Sequence, residues 1–231
     1  MPAQSVLHEV LCAVFQVREH HVGQAPQLSV LLWQRAYDPQ AGSWSLPGGH
    51  LHADEDLRTS ALRQLADKVD VREVAHLEQL TVFSAPDRIP GPRVIASSYL
   101  GMVPSDSRPN LPPDTRWHPV SLLPQISFDH STIIERARSR LAAKLSYTNI
   151  AFALAPPEFS MSALSDIYCA ALGYPVDSTN LLRILSRRGV ITATGTVGRT
   201  GPNGGRPPAL YRFADNRLRI TDEFATLRPP P

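Results

Sequence analysis

The sequence predicts an α+β chain in two modules: a sheet-rich body over residues 1–147, then a small helical module ending in a hairpin over 148–231. Three observations predict it. Short apolar runs of β type alternate with Gly/Pro turns through the first half, and helical periodicity appears there only twice. A new pattern of two short helices and two strand-like runs begins near Tyr147. Charge also changes along the chain. Between Phe159 and Phe213 six arginines (183, 187, 188, 199, 206 and 212) oppose only Asp166 and Asp177, a net +4 on a chain of net +2. A basic module on a near-neutral body is the asymmetry of a two-part regulator that meets a polyanion.

In the body, residues 6–17 alternate as a strand does, and 28–33 form a compact apolar run with polar flanks. Residues 38–42 (Asp-Pro-Gln-Ala-Gly) are turn chemistry, and 44–49 (Trp-Ser-Leu-Pro-Gly-Gly) lead into a helix whose apolar stripe is Leu57, Ala61, Leu65 and Val69. Strands are expected at 77–85, 94–103 and 117–120, with loops at 86–92 and 104–113. Residues 131–146 read as a helix, with Ile133, Ile134, Ala137, Leu141 and Leu145 inward and Arg136, Arg138, Arg140 and Lys144 outward. No internal repeat is present.

In the second module, 162–172 and 177–188 read as helices around a Gly173-Tyr174-Pro175 turn. Asp177 or Ser178 is a suitable N-cap and Gly189 a natural stop. Residues 190–196 and 210–213 are the arms of a hairpin tipped by the Gly-rich 198–207. Helix, turn, helix and hairpin in that order are the winged helix-turn-helix plan. Thr179, Asn180, Arg183 and Arg187 are the residues of the second helix expected at base edges, since Asn suits adenine and Arg suits guanine. Arg206, between Gly205 and Pro207, is placed to reach a narrow minor groove, and Arg199 to meet phosphate. The alternative is a solvated basic surface on an interaction module.

Residues 48–71 carry the most specific pattern. Gly49, Glu55, Arg63, Leu65 and Val71 fall in register with G-x5-E-x7-R-E-U-x-E-E-x-G-U, with U apolar. This stretch resembles a Nudix box, the loop-helix-loop that binds a metal and cleaves nucleoside diphosphates linked to another group. Three positions that should be Glu are Gln64, Asp67 and Lys68, and the last Gly is Asp70. On a helix, 64, 67 and 68 share one face. Mg²⁺ wants hard oxygen ligands there, whereas an ammonium about 4 Å from even a single positive charge costs roughly 4 kcal/mol at an effective dielectric of 20. Read alone, the three residues are also an ordinary solvated face; the flanking register argues for a kept scaffold and lost hydrolysis. Arg63 is expected to pair with Glu55.

Together the two modules resemble the Nudix-related transcriptional regulators of NAD metabolism, the NrtR family. The resemblance runs from about Glu9 to Phe213 through Glu78-Gln79-Leu80, Pro86-Asp87-Arg88, Phe128-Asp129-His130, residues 144–154, Gly205-Arg206-Pro207 and Leu210-Tyr211-Arg212-Phe213. It implies a Nudix α/β/α sandwich followed by a C-terminal winged helix-turn-helix domain. It also implies a homodimer that binds a palindromic operator in double-stranded DNA and represses genes of NAD synthesis or salvage. The effector implied is ADP-ribose or a related nucleotide, with no cofactor required. A pyrophosphate needs cationic or N–H donors, for which Arg88 and Arg93 are candidates. By resemblance Gln79 and Phe128 serve the base or ribose, or else pack. The competing reading is a weak metal-dependent ADP-ribose pyrophosphatase that keeps Glu55 and Asp67 as ligands.

Composition narrows the field further. The chain is 42% hydrophobic and 19% charged, ordinary for a soluble protein. Cys12 and Cys169 are expected as buried free thiols, and two cysteines so far apart do not support a disulfide framework or zinc site. His50, His52 and His130 are too irregularly spaced for a metal set and read as solvated or loop-capping. No apolar run reaches a membrane span and no signal peptide opens the chain, so a cytoplasmic protein is expected. Lysine occurs only at 68 and 144 while Arg, Ala and Pro abound, a bias suggesting a GC-rich bacterial genome.

Overall fold

The computed structural model describes residues 6–198 and 207–222. Contacts divide the chain into two compact units. The first comprises residues up to Gln16, Ser29–Val103 and Arg108–Ser139; the second comprises Val17–Leu28, Pro104–Ser107 and residues from Arg140 onward.

Strand β1 (Leu7–Arg18) and β2 (Gln27–Gln34) form on the two apolar runs read from sequence. The lead-in to the box helix, for which no strand was expected, forms the short strands β3 (Trp44–Ser45) and β4 (Gly48–His50). Helix α1 (Leu57–Val69) follows, then β5 (His76–Phe83), β6 (Val94–Met102), β7 (Thr115–Pro119) and helix α2 (His130–Tyr147). The sheet order is β3-β2-β1-β6-β5, with β4 added to β1 and β7 to β2. Strands β1 and β6 are parallel, and β5 pairs antiparallel with β6. Both faces of β1 are buried, which a central strand between two covered faces requires. Val10, Cys12 and Val14 on one face pack with Ala61, Leu65 and Val69 of α1, and Leu31, Leu77 and Tyr99 join that core. On α2 the inward residues are those expected: Ile133, Ile134, Ala137, Leu141 and Leu145 are all buried.

The second unit contains a 3-10 turn (Ile150–Ala153), β8 (Phe159–Ser160), α3 (Met161–Leu172), α4 (Ser178–Arg187), β9 (Ile191–Val197) and β10 (Ala209–Phe213). Its sheet runs β8-β10-β9. The two-residue β8 has no periodicity to read and was not expected. Ser160 caps α3 by accepting from Ala163 N–H, and Gly173 ends it at φ 82, a left-handed turn that glycine adopts without strain. Asp177 is the N-cap of α4, accepting from Asn180 N–H at 2.7 Å. Asn149 fastens the segment after β10. Its side chain donates to the carbonyls of Asp215 (3.2 Å) and Arg217 (2.9 Å) and accepts from Arg219 N–H (2.8 Å). Both cysteines are free; Cys12 is buried as expected, whereas Cys169 is only half-buried, beside the Val176 backbone.

Candidate functional site

The box helix is held at both ends by its own residues. Asp56 caps α1 by accepting from Thr59 N–H at 2.7 Å. Asp70, where the pattern has Gly, takes φ 50 and donates its N–H to Leu65 O. Aspartate is among the few residues that tolerate this left-handed conformation, so the missing glycine leaves the helix end intact. The two glycines ahead of the helix are required for close approach. A Cβ on Gly48 would lie 2.2 Å from Val10 O, and one on Gly49 would lie 2.6 Å from the Gln64 carboxamide.

Glu55 and Arg63 pair as the sequence suggested. Arg63 donates to both carboxylate oxygens of Glu55, at 2.8 and 2.5 Å, and His52 N–H adds a third bond at 2.9 Å. The Arg63 hydrogen bond holds the Glu55 carboxyl at about 2. This pair locks the loop onto the helix and leaves Glu55 no oxygen that is not already hydrogen-bonded.

Positions 64, 67 and 68 do not form one solvated face. Asp67 is exposed, Lys68 half-buried and Gln64 buried. Lys68 Nζ donates to the Gly48 carbonyl and stands 4.8 Å from the centre of the Trp33 ring. Oriented so that both ends of its amide are satisfied, Gln64 also donates to Gly48 O, at 3.1 Å, and accepts from the Arg63 guanidinium. A divalent ion does not fit these donors: the helix presents an amide and an ammonium to the carbonyl, and its remaining carboxylate, Asp67, points to solvent. Among the described residues no cluster of three or more His, Cys, Asp or Glu side chains has metal-binding geometry.

Beside Lys68 opens a cleft of about 370 Å³, lined by Trp33, Arg35, Gly48, Gly49, Phe128 and His130 among others. The Arg35 guanidinium lies 4.9 Å from the Phe128 ring centre, and Arg35 Nε donates to Pro39 O. Phe128 itself adopts φ 52, with its N–H donated to the Gln40 side chain. His130 is buried. Its Nδ1 accepts from Leu46 N–H at 3.1 Å, which places the proton of the neutral ring on Nε2. Burial, with Arg88 and Arg35 adding repulsion, lowers this imidazole to about 3. His130 therefore enters the cleft as a neutral hydrogen-bonding group.

The sequence-based effector candidates divide. Phe128 lines the cleft. Arg88 does not: its guanidinium is buried and each of its three nitrogens meets a carboxylate, Nε and one Nη reaching Asp129 at 2.9 and 2.7 Å and the other Nη reaching Glu9 at 2.5 Å. As placed, it is a structural clamp joining β1 to the start of α2 rather than an open phosphate donor. Arg93 is exposed and donates to Ser84 O, and Gln79 is exposed on β5. Sequence reasoning missed Trp33 and Arg35. Trp33 lies in β2 and Arg35 one residue beyond its end; a spacing of two, which sets side chains on one side of an extended chain, was the available signal.

In the second unit Thr179, Asn180, Arg183 and Arg187 are all exposed on α4, while Leu181 and Leu185 are buried beneath them. Arg183 donates to Asn180 Oδ1 at 2.7 Å, which aligns the two side chains as a pair. Arg188 turns away from this surface, donating to Ser146 O at 2.9 Å and Asp222 at 2.5 Å. Arg199 and Arg206 lie outside the described residues.

Comparison with known proteins bears on both units. The NUDIX domain model matches residues 10–137, and the model of the NrtR DNA-binding winged helix domain matches residues 151–213. The "ADPR responsive transcriptional repressor NtrR" of Acinetobacter baylyi is 30% identical over 195 residues, spanning 81% of this chain and 76% of the relative. The chain belongs to the NrtR family. The crystal structure of Shewanella oneidensis NrtR complexed with a 27mer DNA is 29% identical, with a TM-score of 0.72 over 89% of this chain and 92% of that one. A MutT/nudix family protein from Enterococcus faecalis, 21% identical with a TM-score of 0.67 over 92% of this chain and 88% of that one, shares the fold. The family's winged helix match ends at Phe213, the last residue of β10. No helix among the described residues is long and apolar enough to cross a membrane.

Proposed function

We propose that this chain is a dimeric DNA-binding repressor of genes for NAD synthesis or salvage, and that its Nudix domain senses ADP-ribose or a related nucleotide without hydrolysing it. One observation carries the reading. A single chain combines a Nudix cleft whose catalytic face presents an ammonium with a winged module whose second helix exposes Asn180, Arg183 and Arg187. In this division of labour residues 1–147 sense and residues 148–231 bind DNA, in the cytoplasm where the operator lies. Phe128, Arg35 and Lys68 are the side chains we assign to the effector; Thr179, Asn180, Arg183 and Arg187 we assign to the major groove, and Arg199 and Arg206 to the wing.

Hydrolysis is disfavoured by the same geometry. A weak pyrophosphatase would draw on Glu55 and Asp67, yet Glu55 is committed to Arg63. With Mg²⁺ or Mn²⁺, ADP-ribose should remain intact at the rate of an enzyme-free control. Turnover near 1 per second, an ordinary enzyme rate, would refute a silent domain.

A single winged module offers too little contact for tight specific binding. A two-fold dimer doubles it and requires half-sites roughly 10 base pairs apart. Footprinting on DNA upstream of the protein's own gene cluster tests this. Two symmetric protected half-sites are expected. Absence of any protected segment would contradict the DNA-binding assignment, and a lone half-site would contradict the dimer.

A further inference from the structure

We infer that the Lys68 ammonium occupies the post of the divalent ion in this Nudix box, so that a nucleotide diphosphate binds the cleft through Lys68 without metal. The inference rests on the nucleotide-sensing reading above and specifies how the nucleotide is held. In the box pattern, positions 64 and 68 are both carboxylates. Here those two positions converge on one acceptor, the Gly48 carbonyl, to which Lys68 donates and Gln64 donates at 3.1 Å. Carboxylates aimed at a carbonyl oxygen repel it and each other unless a cation stands between them. Replacing one by an ammonium and the other by an amide supplies that positive charge covalently, and the arrangement closes without an ion.

The ammonium is also placed to do more than hold a carbonyl. It has three N–H donors, and the Gly48 bond uses one of them. Burial, then the neighbouring Arg35, lower this ammonium from its ordinary value, while Glu9 and the π-face contact with Trp33, at 4.8 Å, favour its charged form without consuming a donor. Glu9, the acidic side chain that shares the cleft lining, gives one carboxylate oxygen, Oε1, to Arg88 at 2.5 Å. Lys68 thus has the Gly48 carbonyl and the Trp33 face in contact and Glu9 as a nearby opposite charge, and Arg35 brings a second cation to the same cleft. A half-buried cation with spare donors is completed by an anionic ligand, and charge-assisted bonds to phosphate oxygens are the strong ones. A phosphate pair spanning Lys68 and Arg35 matches that chemistry.

Calorimetric titration of the full-length protein with ADP-ribose, in EDTA and again in Mg²⁺, tests this. The wild type is expected to bind equally in both, within about twofold, since no ion joins the contact. Lys68→Arg should retain binding, and Lys68→Met should lose about tenfold or more, the scale of one charge-assisted hydrogen bond. The double variant Gln64→Glu with Lys68→Glu restores two carboxylates facing Gly48 and should bind only when Mg²⁺ is present. Melting temperatures of all variants separate a lost contact from a lost fold. Wild-type binding that requires Mg²⁺, or undiminished binding by a folded Lys68→Met, overturns the inference and leaves the nucleotide-sensing reading standing. Failure of ADP-ribose to bind the wild type in either buffer overturns both.

Discussion

Replacing Arg88 distinguishes a structural clamp from an effector ligand. The Arg88 side chain is 2% exposed and meets two carboxylates, Glu9 and Asp129, that are 15% and 21% exposed. Arg88→Met preserves much of the apolar stem and removes all three hydrogen bonds. Breaking a buried ion pair by removing one partner costs about 3–5 kcal/mol, chiefly through the charges left behind. Because both carboxylates touch solvent and can partly rehydrate, the lower end, about 3 kcal/mol, is the expected loss. At about 2–4 °C per kcal/mol for a chain of this size, the first unit should melt roughly 6–12 °C lower. The assay is unusually clean, because Trp33, Trp44 and Trp117, the three tryptophans of the chain, all belong to the first unit. Thermal melts followed by tryptophan fluorescence therefore report on the unit that holds the clamp. An Arg88→Met protein that melts with the wild type yet loses ADP-ribose affinity would refute this reasoning and return Arg88 to the phosphate.

Other changes probe other parts of the chain. His130 is neutral in the fold, lowered to about 3 from an ordinary 6.5, so the unfolded state gains a proton first. Its contribution is complete above pH 6.5 and is lost as pH falls toward 3, at about 1.4 kcal/mol per pH unit once the unfolded imidazole is charged. A His130→Gln variant should show a shallower decline of melting temperature through that window, and an identical slope would count against a buried neutral ring. Arg183→Ala and Asn180→Ala should each reduce discrimination between operator and scrambled DNA by about 1–3 kcal/mol, measured by competition binding, if their contacts are bidentate. Arg188→Ala, which removes bonds to Ser146 and Asp222 instead, should weaken all DNA alike or leave it unchanged. Asn149→Ala deletes three hydrogen bonds to the segment after β10 and should cost about 2–3 kcal/mol in urea unfolding followed by circular dichroism; stability equal to the wild type would make the clamp incidental.

The order of elements was largely legible because it rests on local signals. The stripe Leu57, Ala61, Leu65 and Val69, the cap at Asp177 and the stop at Gly189 act within a few residues of themselves, and the structure uses each. Strands β3, β4 and β8 were not legible, since two or three residues have no period; β3 forms against the neighbouring β2, and β4 and β8 by pairing with distant strands. The same distinction governs the cleft. The carboxylates that claim Arg88 lie 79 and 41 residues away in sequence, so its charge was visible but its commitment was not. The reverse holds for Glu55 and Arg63, eight residues apart across one loop and one helix, whose pairing was expected and found.

A single titration tests most directly whether nucleotide is felt in the first unit and answered in the second. The wild-type protein is bound to a labelled operator duplex, ADP-ribose is added in EDTA, fluorescence anisotropy is followed, and the mixture is then analysed for AMP. A saturable change in DNA occupancy with ADP-ribose recovered intact is the expected result. Unchanged occupancy at saturating ADP-ribose, or AMP accumulating in step with the change, would contradict a silent sensor coupled to DNA binding.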